Sequence, residues 1–133
     1  MRSGQSFSVI PGAYAVCRLP ATAPLPAWAR SAFTAVARTA DELSIVCEER
    51  HLPPDLDGVE IQVARGWALL KLHGPFPLDA IGVLASVAKP LAEAAISLFA
   101  VSTSDTDYIL VKRAHVKQAI AALTLAGHTP VEG

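Results

Sequence analysis

Four residues, Gly74-Pro75-Phe76-Pro77, set the tightest limit on how this chain can fold. Two prolines lock φ and supply no backbone N–H, so neither a sheet ladder nor a helix runs through them. The chain must change element there. Before the break, Trp67 to His73 is a β-like apolar run, and Val59 to Ala64 is another, divided from it at Arg65-Gly66. After it, Leu78, Ile81, Leu84, Ala88, Leu91 and Ala95 recur at helical spacing. Asp79 is placed for the positive end of that helix, and Pro90 within it predicts a kink or a separate last turn. Gly82 falls in the expected first turn, at a cost of about 1 kcal/mol relative to alanine. Such a cost makes sense where a ligand or another backbone approaches closely.

The alternation of element types continues to the end of the chain. Ser97 to Ser102 and Tyr108 to Lys112 read as strands around Thr103-Ser104-Asp105-Thr106-Asp107. Val116, Ala119, Ile120 and Leu123 mark a last helix, stopped by Gly127 and Pro130, with Thr129 to Val131 as a short edge strand. This order is the βαββαβ ferredoxin-like plan, an antiparallel sheet with helices packed on one face. The first half offers a strand at Ala13 to Leu19, a proline-rich stretch with Pro20, Pro24 and Pro26, and a short helix at Trp28 to Ala32. Phe33 to Arg38 and Leu43 to Glu48 follow as a hairpin about Thr39-Ala40-Asp41. His51 to Asp57, followed by Gly58, is the candidate linker. The first half is thus the same plan with its second helix lost. The expected fold class is α+β: two tandem ferredoxin-like units, a degenerate one in residues 1–62 and a complete one in residues 63–133.

Composition narrows the function. A chain of 133 residues that is 52% hydrophobic buries a core without disulfides. Lysine plus arginine number 11 against 12 acidic residues, a net charge of -1, which gives no field to hold nucleic acid or an acidic membrane. Cys17 and Cys47 sit in separate apolar runs, and His51, His73, His115 and His128 lack ligand spacing. Buried reduced thiols are expected, with no metal and no cofactor. Ser3, Gln5, Ser6, Ser8 and Pro11 break any signal-peptide core, and Lys89, Pro90 and Glu93 interrupt the apolar stretch from Ala80 to Val101. A cytoplasmic protein is expected. No P-loop, Gly-x-Gly-x-x-Gly run, metal-ligand cluster or nucleophile–base pair is legible, so the chain reads as no enzyme.

Residues 66–112 carry a resemblance. Gly66-Trp67, Leu72-His73-Gly74-Pro75-Phe76-Pro77-Leu78, Ile81-Gly82-Val83-Leu84-Ala85, Pro90-Leu91-Ala92-Glu93-Ala94 and the run Phe99 to Val111 follow in order. The most specific part is Ser102-Thr103-Ser104-Asp105-Thr106-Asp107-Tyr108-Ile109-Leu110-Val111. Together they resemble the CASTOR-type ACT domain family of small bacterial tandem-ACT proteins, related to aspartate kinase regulatory domains. Ile81 stands where a threonine is common in that pattern, and Ser104 where an aromatic is common. The resemblance implies a regulatory module that holds a small molecule, usually an amino acid, where two ACT domains pair. It assigns ligand contacts to Gly74, Pro75, Phe76, Leu78, Ile81 and Gly82, and to Thr103, Ser104, Asp105, Thr106 and Asp107.

The residues themselves agree with that chemistry. A turn running into a helix N-terminus presents free N–H groups to a carboxylate. Asp107 accepts from an ammonium or from a basic side chain of the ligand, and strand alternation would put Thr103, Asp105 and Asp107 on one side. Each feature also has a plainer reading. Gly-Pro-x-Pro is a turn, Asp105 a solvated or capping residue, His73 a hydrogen-bonded structural imidazole, and Trp67 and Phe76 core. The alternative function is a ligand-free dimerisation or interaction module, with which Ile81 and Ser104 are consistent. Two copies of a sheet in so short a chain leave edge strands, so a twofold homodimer is expected.

Overall fold

The computed structural model describes residues 4–54, 56 and 60–132; Asp55, Asp57 and Gly58 of the expected linker, and Val59, lie outside these. The strands are β1 (Ser6–Leu19), β2 (Ala35–Arg38), β3 (Leu43–Glu48), β4 (Gln62–Leu72), β5 (Phe99–Ser102), β6 (Asp107–Lys112) and β7 (Thr129–Pro130). The α-helices are α1 (Val83–Glu93) and α2 (Val116–Leu125). Two compact units result: Gly12–Gly66, and Met1–Pro11 together with Trp67–Gly133. β1 and β4 change unit at Gly12 and Gly66, whose φ angles are 103° and 82°. Glycine alone takes that conformation without steric cost, so each strand continues through it. β4 is therefore one strand where two were expected, and the opening residues of β1 belong with the C-terminal unit rather than with residues 12–62.

In the C-terminal unit the strand order is β1-β4-β6-β5. β6 pairs antiparallel with both β4 and β5. β7 is an edge strand as expected, but it pairs in parallel with β1, Ser6 opposite Thr129, because β1 holds the place beside β4. Alternate residues Ala68, Leu70 and Leu72 of β4 and Ile109 and Val111 of β6 join Phe7 in one core with Val87, Leu91, Ala119 and Leu123 from the helices. Val87 and Leu91, like Ala119 and Leu123, stand four residues apart, so each helix turns one stripe inward. Each large aliphatic buried there contributes about 1.5–3 kcal/mol.

α1 begins at Val83, later than its apolar spacing predicts, and its first turn holds no acidic residue. Asp79 is not part of it. The Ala80 N–H closes a turn on the Pro77 carbonyl, and Gly82 at φ 85° redirects the chain, so residues 77–82 spend their hydrogen bonds in turns. Pro90 sits inside α1 without ending it. The Ser86 carbonyl, which proline cannot serve, lies 2.8 Å from Nε2 of His128. Nδ1 of the same ring accepts from the Gln5 N–H at 3.0 Å, so Nε2 carries the proton and donates. His128 is 4% exposed.

The N-terminal unit has the order β2-β3-β1, antiparallel throughout. Ala15, Cys17, Leu19, Leu43, Ile45 and Cys47 form its core with Ala29 and Leu52, and Trp28 packs against it. Both cysteines are free and buried. A hydrogen bond with Cys47, then burial, hold the Cys17 thiol well above its ordinary pKa, so it stays protonated. The helix expected at Trp28 to Ala32 is absent: Ala29 N–H to Pro26 and Arg30 N–H to Trp28 close isolated turns. Among the described residues of this unit the helical structure is one 3-10 turn, Glu49–His51. Among the described residues no helix is long and apolar enough to cross a membrane.

Candidate ligand-binding cleft

One wall of the cleft follows from the proline break. β4 ends at Leu72, and the His73 N–H donates to the Ser6 carbonyl at 2.9 Å. The Gly74–Pro75 peptide is cis. A Cβ at Gly74 would stand 2.8 Å from the Asp105 carbonyl oxygen and 2.9 Å from the Phe76 nitrogen, so only glycine fits. That close approach allows the Phe76 N–H to donate to the Asp105 carbonyl at 2.7 Å.

The other wall is the β5–β6 hairpin. Register places Ser102 opposite Asp107, and the Ser102 hydroxyl donates to Oδ1 of Asp107 at 2.6 Å. Thr103 to Thr106 form its loop, closed by the Thr103 N–H on the Thr106 carbonyl at 2.8 Å. Thr106 is buried, its hydroxyl donating to the Leu72 carbonyl at 2.7 Å. Two hydrogen bonds, Phe76 to Asp105 and Thr106 to Leu72, therefore tie the walls at a fixed spacing. The loop breaks strand alternation, so the expected alignment of Thr103, Asp105 and Asp107 along one strand face does not occur.

Between the walls lies a cleft of about 290 Å³. Phe76, Leu78, Gly82, Thr103, Ser104, Asp105, Thr106 and Asp107 of the expected site line it. Gly74 and Pro75 instead line a neighbouring depression of about 210 Å³ with Lys71 and His73, which shares Asp105 and Thr106 with the cleft. Ile81 lines neither and is 98% exposed. The sequence reading missed Val83, Leu84 and Ala85, whose N–H groups precede the first intrahelical bond, Ser86 to Gly82. It also missed Ser102, which hairpin register would have placed beside Asp107. The first turn of α1, where amides lack intrahelical partners and the helix dipole is positive, thus lines a space that two aspartates also line. Such a space can pair the two poles of a small zwitterion.

His73 is hydrogen-bonded through Nε2 to the Ser8 hydroxyl, in line with a structural imidazole. This pair has the composition of a nucleophile and its base, but Ser8 is 1% exposed and out of reach of a substrate.

Residues 62–124 match the ACT domain family, and residues 12–55 match a second family described as an N-terminal domain. Protein Atu0741 from Agobacterium tumefaciens has a solved structure similar to this one over 98% of this chain and 95% of its own, with 36% identity and a TM-score of 0.88. VC0802 from Vibrio cholerae, a protein of unknown function described as a possible transport protein, is 25% identical over 93% of this chain and 91% of its own, with a TM-score of 0.71. The ligand-free regulatory subunit of aspartate kinase from Thermus thermophilus shares the fold, at 10% identity and a TM-score of 0.65 over 93% of this chain and 99% of its own. No curated protein matches the sequence.

Proposed function

We propose that the chain, which matches the ACT domain family over residues 62–124, is a non-catalytic regulatory module holding an amino acid in the cleft between residues 76–85 and 102–107. The observation that carries this reading is the opposition of two poles across one small space. The amides of Val83 to Ala85 suit a carboxylate, and Asp105 and Asp107 suit an ammonium. In this reading the module is of the CASTOR type, with residues 12–66 as a degenerate second ACT unit. It works in the cytoplasm as a homodimer whose pairing completes the site. Binding would favour one arrangement of the paired domains by its differential affinity for it.

A thermal-shift screen of the whole chain against the twenty amino acids tests the proposal. A ligand at a hundredfold excess over its dissociation constant adds about 2.7 kcal/mol of stability. The expected result is a shift confined to one or a few amino acids and lost in Asp107→Ala. A shift that survives that substitution would remove the cleft from the account.

A second reading has its own support. Leu78 and Ile81 are 84% and 98% exposed, more apolar surface than a ligand lid needs. A dimer by light scattering with no shift from any amino acid would favour a ligand-free interaction module.

A further inference from the structure

The chain has two cysteines, far apart in sequence, and folding brings both into one core. Cys17 lies on β1 opposite Ile45 of β3, and Cys47 lies on β3 opposite Ala15 of β1. They are therefore diagonal neighbours across one antiparallel pair, on the same inward face. Each is fully buried, and the two thiols are hydrogen-bonded to each other. Cys17 donates and Cys47 accepts. That bond holds the proton on Cys17 and pushes the Cys47 thiol below its ordinary pKa, against burial and the Glu48 carboxylate. A proton-holding thiol in contact with one that gives up its proton more easily has the makings of a dithiol–disulfide couple.

Register also sets the character of the bond they would form. Diagonal neighbours stand roughly 7–8 Å apart at Cα, beyond the roughly 4.4–6.8 Å that a relaxed disulfide spans. Closing it must draw β1 and β3 together locally, and a strained disulfide is the more readily reduced. The geometry suits a reversible bond rather than a permanent staple. Access comes from the cover of this face, where Trp28, Ala29 and Leu52 reach the cysteine core from irregular chain. Such a cover opens locally without unfolding of the whole chain.

We propose that Cys17 and Cys47 are a reversible redox couple, oxidised by a hydroperoxide to an intramolecular disulfide and reduced again by a small thiol. The Cys47 sulfur attacks a peroxide oxygen and the O–O bond breaks, leaving Cys47 as a sulfenic acid. The other half of the hydroperoxide takes the Cys47 proton and departs as an alcohol or water. The Cys17 sulfur then attacks the Cys47 sulfur, the S–OH bond breaks, and hydroxide leaves with the Cys17 proton as water. Two equivalents of a small thiol reverse the change by exchange through a mixed disulfide. The couple is independent of the cleft, which neither cysteine lines.

Hydrogen peroxide added to the reduced whole chain, followed by alkylation in urea and intact-mass measurement, tests this. The product should be lighter by two hydrogens and take up no alkylating label, where the untreated chain takes up two, and reduced glutathione should restore both labels. Cys17→Ser should stop at a Cys47 sulfenic acid, trapped by dimedone, whereas Cys47→Ser should leave Cys17 an unreacted thiol. Trp28→Ala should speed the oxidation about five- to thirtyfold by loosening the cover, and Leu91→Ala, in the other unit, should not. Two labels after peroxide, or a bond between two chains, would overturn the couple. A disulfide that glutathione leaves intact would overturn its reversibility. Equal acceleration by Leu91→Ala would overturn local access and make global unfolding the route.

Discussion

The two units solve one problem, covering the inner face of a small sheet, with different materials. The C-terminal unit lays α1 and α2 over β4 and β6 and seals the contact with Leu91, Val87 and Leu123. The N-terminal unit covers β1 and β3 with irregular chain, where Ala29, Trp28 and Leu52 reach the core from turns. Helices present several side chains per element in fixed rotation, and turns present one at a time. The difference reaches beyond stability. A helix also brings an N-terminus with free amides, and in the C-terminal unit the start of α1 lines one cleft with the hairpin loop. Among its described residues the N-terminal unit has no α-helix, hence no such end to offer.

Truncation should expose this contrast most strongly. Leu91→Ala removes a fully buried helix side chain and should cost about 2–5 kcal/mol in urea unfolding. Trp28→Ala removes a larger but only half-buried one from a turn, and the expected loss is about 1–2 kcal/mol. Equal losses would mean that the turn cover is as tightly packed as the helical one.

A middle-sized effect is expected from His128→Ala. It strips partners from the Gln5 N–H and the Ser86 carbonyl, the latter already deprived by Pro90. A loss of about 1–3 kcal/mol should follow, and Pro90→Ala in the same background should recover part of it by restoring an N–H for Ser86. No recovery would show that the imidazole acts by filling space.

The smallest test compares the two helix ends. α1 and α2 both finish with paired bonds, Ile96 to Leu91 with Ala95 to Ala92, and His128 to Leu123 with Gly127 to Thr124. The left-handed position is Gly127 in α2 but Ala95, at φ 60°, in α1. Ala95→Gly should therefore stabilise by about 0.5–1 kcal/mol, and Gly127→Ala should destabilise by a similar amount, both read from melting curves. Opposite signs would show that backbone entropy outweighs relief of the strained alanine.

Elements whose signal is local were legible in the sequence. β3 was read residue for residue because Leu43, Ile45 and Cys47 alternate inward after a polar turn. α2 was read because its stripe is bounded by Gly127. The opening half of β1 was not, since Ser6, Ser8, Pro11 and Gly12 spoil any local pattern. That segment is a strand because β7 and the end of β4 supply its partners, Thr129 opposite Ser6 and the His73 N–H on the Ser6 carbonyl. The start of α1 was misplaced for a related reason. Leu78 and Ile81 continue the apolar spacing, yet they point to solvent because turn bonds at Ala80 and the left-handed Gly82 take the backbone first.

By itself the sequence determined the order of elements from Trp67 onward, the break at residues 74–77, and the presence of two aspartates near a helix start. Those depend on spacing, on proline chemistry and on residue type, all of which are local. Tertiary structure alone decided that the Asp105 carbonyl meets the Phe76 N–H, and that Thr106 reaches Leu72 across 34 positions of chain. Those contacts turn a loop and a hairpin into one cleft. Their partners are fixed by sheet register and by the space a glycine leaves, and neither is written in any short stretch of residues.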